Sequence, residues 1–250
     1  MADIIDSGVV EWEADKISTG ITDQLWIGEH PMTNMEQAKR PGKRVIDIST
    51  WSRRSNFEFF CDFVNPNLGV TVRVDVNHAY YAAKTSGGSF FLSYFYAILG
   101  AVNEIQEFHY RFDQEGNVVY YDRIDGLAPI RVEERDNFAE MIFPFAEDFD
   151  TFCQTARQVI ALAASTDPYE QADTMTDYNV ILVSALPKLN FTSLCSTQRN
   201  LRGNDYPLCV IGKMGDDKTM PVSITVHHGF ADGEHISRFF ELVQEKLNKL

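Results

Sequence analysis

The residues best placed to do chemistry lie between Pro221 and Gly233, in PVSITVHHGFADG, where His227 and His228 stand side by side shortly before Asp232. An imidazole changes protonation near neutral pH and can take a proton from a weak acid, and a nearby carboxylate can hold it in place. Val222, Ile224 and Val226 share one parity, and Ser223, Thr225 and His227 the other. The alternation predicts a strand, with His228 on the apolar parity, emerging at the strand end from hydrophobic surroundings. Asp232 and Gly233 close the turn, and Ile236, Phe239, Phe240, Val243 and Leu247 then recur at helical spacing. The pattern suits a base delivered by a strand end. It suits equally a plain helix cap at Asp232 with two satisfied turn histidines. Zinc held by His227, His228 and His235 would lack the usual ligand spacing, because neighbours on a strand point to opposite faces, so no metal is expected.

Upstream elements must position these groups. In Arg44 to Phe60, RVIDISTWSRRSNFEFF, Ser49 or Thr50 is predicted to cap a short helix with Trp51, Phe57 and Phe60 facing inward. Arg53 and Arg54 lie between the aromatics and by type alone form a solvated face. Val70 to Val76 alternates as a strand with one buried face, and His78 to Lys84 carries helical signals. Phe90 to Ile105 is too long and apolar for a strand and reads as a buried helix. Arg111-Phe112 and Val118 to Tyr121 flank a hairpin turn, Leu127 to Glu134 adds a strand, and Glu147 to Ala164 is an amphipathic helix ending near Pro168. Tyr169 to Tyr178 is polar and reads as a loop. The strand that follows is apolar on both faces, hence interior to a sheet, and carries Ser184, by type a small filler. Lys213, after Val210-Ile211-Gly212, is by type a surface lysine.

The chain has 250 residues, enough for one large domain with a sizeable core, and its 18 Phe and 10 Tyr favour a thick core or an aromatic-walled pocket. A net charge of −14 argues against nucleic acid and against an anionic membrane surface. Any polyanionic ligand therefore needs a local basic site. Cys61, Cys153, Cys195 and Cys209 are widely spaced and read as buried free thiols in a reducing compartment. The N-terminus has no basic segment followed by an apolar one, and no run approaches the ~20 apolar residues of a membrane span, so a cytoplasmic, soluble protein is expected. Residues 1–43 read as an irregular extension with a short strand around Gln24 to Ile27, and residues 44–250 as the functional domain.

His227-His228-Gly229-Phe230-Ala231-Asp232-Gly233 resembles the signature of the chloramphenicol acetyltransferase family, within the coenzyme A-dependent acyltransferase superfamily. Asp47 to Arg54, DISTWSRR, resembles the family's N-terminal stretch. Val183-Ser184-Ala185-Leu186-Pro187, followed by Phe191-Thr192-Ser193, resembles a third family segment, in the right order. The resemblance implies an α/β fold, an α+β two-layer sandwich with a mixed central β-sheet and helices packed on it. It implies acetyl-CoA as co-substrate, a small-molecule hydroxyl acceptor such as chloramphenicol, and a homotrimer with active sites at subunit interfaces. Residue by residue, it makes His228 the general base, Ser184 the donor to the tetrahedral oxyanion, and Arg53 the buried ion-pair partner of Asp232, satisfying it bidentately. Lys213 would lie beside the phosphates of coenzyme A. Phe60 matches an aromatic position of the acceptor pocket, with core packing an equal candidate.

The chain departs from the family pattern at Lys188, Val210, Ser89 and Ala128 to Arg131, positions that concern substrate choice and one cofactor contact. Two other readings share the fold. A dehydrogenase-complex acyltransferase core would be expected to follow a lipoyl-type domain, and no lipoyl-type lysine hairpin with a Pro/Ala-rich linker precedes residue 44. A diverged trimer could bind a ligand or partner without catalysis.

Overall fold

The long strand that ends at the paired histidines lies one place in from the edge of a six-stranded sheet. The computed structural model describes residues 41–132, 137–167, 179–195 and 206–250. The strand expected at Gln24 to Ile27 and the loop expected at Tyr169 to Tyr178 lie outside them. In chain order the elements are β1 (Lys43–Val45), α1 (Arg54–Cys61), β2 (Asn67–Asp75), α2 (Asn77–Ser86), α3 (Phe90–Asn103), a 3-10 turn (Gln106–His109), β3 (Tyr110–Phe112) and β4 (Val118–Tyr121). There follow β5 (Asp125–Arg131), β6 (Phe138–Phe143), α4 (Phe149–Leu162), β7 (Val180–Leu186), β8 (Leu208–Gly212), β9 (Thr219–His227) and α5 (Gly233–Leu247).

The large sheet runs β2-β9-β8-β7-β5-β6, and β1-β4-β3 form a separate three-stranded sheet. β7 is parallel to both β5 and β8 while the remaining pairs are antiparallel, so the sheet is mixed. β7 is interior, as its two apolar faces require. One face of the sheet, carrying Val183, Cys209, Ile211, Val222, Ile224 and Val226, shares a single core with α2, α3, α4 and α5. α3 is apolar nearly all round because it lies in the middle of that core. α5 shows it only the stripe Ile236, Phe239, Leu242, Val243 and Leu247. This is an α/β fold of sheet and helix layers.

Four details differ from the sequence expectations. Cys153 and Cys209 are buried as expected, but Cys61 and Cys195 are exposed, Cys61 because it ends α1, a helix with no fully buried residue. Ser49 and Thr50 do not cap α1: Asp47 Oδ1 accepts from the Ser49 amide and hydroxyl in a tight turn, and the helix starts later, after Arg53. β2 is an edge strand with only Val74 buried, because a strand paired on one side receives less cover than a central one. β6 was not anticipated, although Ala139, Met141 and Phe143 alternate inward as its period requires.

Candidate active site

β9 ends at His227, and the chain turns back on itself at once: the amides of Phe230 and Ala231 both donate to His227 O, at 2.9 and 3.0 Å. The turn is anchored by Phe230, which is buried in a second apolar cluster with Trp51, Phe57, Tyr110 and Phe112. Gly229 has to be small, since a Cβ there would stand 2.9 Å from Cε1 of His227. The Gly229 amide donates to His227 Nδ1 at 3.1 Å, which leaves the proton on Nε2 in the neutral ring. Burial, reinforced by the neighbouring His228, pushes the pKa of His227 down to about 4. His227 is thus a neutral structural group wedged against Phe112 and Phe230.

His228 has different surroundings. Its amide donates to Pro66 O at 2.7 Å, and its ring lies flat on Phe60, with centroids 3.8 Å apart and planes 10° apart. Nδ1 is enclosed and has no hydrogen-bond partner among the described residues, which leaves Nε2 as the ring nitrogen open to solvent. Phe59 and Phe63, whose rings lie against Phe60, are exposed, so the surface beside Phe60 is apolar.

Asp232 serves both roles that its position allows. It is the N-cap of α5, with Oδ1 accepting from the Glu234 amide at 3.1 Å, and Oδ2 lies 3.0 Å from Arg53 Nη2. The pair is mostly enclosed, with 14% of the arginine side chain and 28% of the aspartate side chain exposed. The contact is single rather than a two-pronged fork, and Arg53 Nε is buried without a partner among the described residues. Burial alone would raise the Asp232 carboxyl, but Arg53 and His235 outweigh it and hold it below the usual carboxylate range. Arg54, one residue along, lies on the solvated face and pairs with Glu58 at 2.7 Å.

Ser184 and Lys213 belong to another part of the molecule. Ser184 sits opposite Val210 on β8, which sits opposite Ser223 on β9, five residues before His228. At ~3.3 Å per strand residue and ~4.8 Å per strand, that is a separation on the order of 19 Å within one chain. Lys213 lies beyond the end of β8, farther still from His228. Ser184 is half-buried and its hydroxyl makes no hydrogen bond within the described residues; Lys213 is exposed and makes no ion pair there. The structure therefore gathers His228, Phe60, Arg53 and Asp232 at one end of the sheet and leaves Ser184 and Lys213 toward the other.

A family model described as chloramphenicol acetyltransferase matches residues 43–244. The chain belongs to the chloramphenicol acetyltransferase family. It is 30% identical over 210 residues to a chloramphenicol acetyltransferase of Proteus mirabilis, covering 83% of this chain and 95% of the relative. To chloramphenicol acetyltransferase 3 of Escherichia coli it is 27% identical over 207 residues, covering 81% and 96%. A solved structure of a chloramphenicol acetyltransferase is 46% identical and superposes with a TM-score of 0.77 over 82% of this chain and all of that one. A probable dihydrolipoamide acetyltransferase from Listeria monocytogenes, at 13% identity and a TM-score of 0.56 over 82% of this chain and 94% of that one, shares the fold alone.

As a member of this family the chain is an acyltransferase. Among the described residues no helix is long and apolar enough to cross a membrane, and no three His, Cys, Asp or Glu side chains are grouped to hold a metal ion. Sequence reading missed two groups around Asp232. His235 Nδ1 lies 2.7 Å from Asp232 Oδ1, and its Nε2 lies 3.4 Å from Glu107 Oε1. His235 stands three residues after Asp232, a spacing at which a side chain of the first helical turn can reach back to the N-cap residue, and that signal was available. Nothing in the sequence pointed to Glu107, which arrives from the 3-10 turn after α3.

Proposed function

We propose that the chain transfers an acetyl group from acetyl-CoA to a hydroxyl of a small molecule, chloramphenicol being the first acceptor to test, in a ternary complex with His228 as general base. The observation that carries this reading is the His228 ring, stacked on Phe60 with Nε2 turned to solvent, on a turn tied to α1 through Asp232 and Arg53.

Nε2 accepts the hydroxyl proton as the acceptor oxygen bonds to the thioester carbonyl carbon. The resulting oxyanion takes a hydrogen bond from the free hydroxyl of Ser184, and when the carbon–sulfur bond breaks the imidazolium returns its proton to the coenzyme A thiolate. Lys213 supplies the positive charge for a coenzyme A phosphate in an otherwise acidic protein. Phe60 contributes to the acceptor pocket through the face and edge that His228 leaves free.

Ser184 and His228 are too far apart in one chain to act on one carbonyl. On this reading the site forms between subunits, with His228, Phe60, Arg53 and Asp232 from one and Ser184 and Lys213 from its neighbour, and the family resemblance makes the assembly a homotrimer. On this reading the acyltransferase domain covers residues 44–250 and residues 1–43 are an extension to it. The test is free-thiol release with acetyl-CoA and a panel of hydroxyl acceptors, chloramphenicol first. Wild type should turn over, and His228→Ala should lose about 10²- to 10⁴-fold in kcat. Full activity in His228→Ala would remove the proposed base.

A further inference from the structure

Asp232 has two carboxylate oxygens, and Arg53 reaches only Oδ2. What holds Oδ1 also decides how firmly the His228 turn is oriented. Besides the Glu234 amide, the contact to Oδ1 is His235 Nδ1 at 2.7 Å, and the far side of that ring faces Glu107. A carboxylate oxygen can only accept, so Nδ1, 2.7 Å from Asp232 Oδ1, carries the N–H of that contact, and Glu107 stands behind the ring, 3.4 Å from Nε2. The Asp232 amide is 3.2 Å from the same Nδ1, but a nitrogen that donates to the carboxylate has no lone pair left for an amide, so the shorter contact decides the proton's place.

We propose that His235, backed by Glu107, is a positioning residue for His228: it fixes the Asp232 oxygen that Arg53 leaves free. The proposal rests on the acetyl-transfer reading for its kinetic consequence. The chain Glu107, His235, Asp232, Arg53 joins the 3-10 turn, the first turn of α5, the histidine turn and the start of α1. The 3-10 turn packs on α5 through Phe108 and Phe239, and the histidine turn packs on α1 through Phe230 and Phe57; the chain of polar contacts links these two pairs. Without His235, Asp232 keeps Arg53 and the Glu234 amide but loses its shortest partner, and the turn that carries His228 is held less firmly. A shallow cleft of about 300 Å³, lined by Glu104, Glu107, Glu234, His235 and Arg238, gives solvent access to this side of the network and includes neither His228 nor Ser184. Substrate has no need to touch His235.

The test combines thiol-release kinetics with NMR of ring-labelled histidine, reading the His228 signals in the acceptor-free protein. His235→Ala should lower kcat about 10- to 100-fold with KM for acetyl-CoA within about twofold of wild type, and should shift or broaden the His228 signals. His235→Asn, whose amide nitrogen replaces Nδ1, should keep kcat within about threefold. Wild-type kcat and unchanged His228 signals in His235→Ala would overturn the proposal, as would equal damage in both variants. If thermal unfolding shows that His235→Ala does not fold, Glu107→Gln decides: a shifted His228 signal supports the network, and an unchanged signal with unchanged kcat overturns it. A wild-type protein that turns over no acceptor, yet shows the shifted His228 signals in His235→Ala, would keep the positioning role while the acetyl-transfer reading falls.

Discussion

His228 and His227 are adjacent in sequence and opposite in chemistry, and the difference is one of surroundings. His228 keeps one nitrogen open, whereas His227 is buried and held neutral. Because the folded pKa of His227 is about 4 and the ordinary value is 6.5, the unfolded chain takes up its proton first as pH falls. The stability contribution is intact above about 6.5 and is lost progressively toward 4, on the order of 3 kcal/mol over the whole window. His227→Asn keeps an acceptor for the Gly229 amide but cannot titrate. Urea unfolding at pH 7.5 and 4.5 should show a smaller acid loss in the variant than in wild type. At Arg53, substitution by alanine strands a half-buried carboxylate, for about 2 to 3 kcal/mol, toward the lower end for a buried pair because Asp232 keeps some water. Equilibrium unfolding measures that loss, and kcat should fall with it.

At the scale of elements, the turn between β9 and α5 depends on neighbours remote in sequence. Phe230 stacks on Phe57 of α1, with ring centroids 5.8 Å apart, and packs on Phe112 of β3, so the small sheet and α1 together form its seat. Removing that ring leaves a cavity beneath the histidines. Phe230→Ala should destabilise the chain by about 3 to 5 kcal/mol in denaturant unfolding. It should also lower kcat well before global unfolding, because the turn loosens locally.

For the molecule as a whole, the decisive fact is the distance between Ser184 and His228. If each site takes its histidine and its serine from different chains, His228→Ala and Ser184→Ala variants complement one another. Unfolded together in equal amounts and refolded, they should regain about a quarter of wild-type activity, the share of interfaces at which both residues are intact. Activity no higher than the average of the separately refolded variants would place the site within one chain.

Much of this was legible in the sequence for a physical reason: hydrophobic period, turn chemistry and capping are local properties. The strand β9, the buried helix α3, the interior position of β7 and the cap at Asp232 all follow from residues within a few places of one another. The resemblance named Arg53 as the partner of Asp232, 179 positions away, and the two side chains do meet. Other features depended on packing. The single rather than forked arginine contact, the His235 and Glu107 chain behind it, the Phe60 ring beneath His228 and the distance between Ser184 and His228 are set by how separate elements dock. Docking depends on shape and charge brought together across the fold, and no window of the sequence contains them.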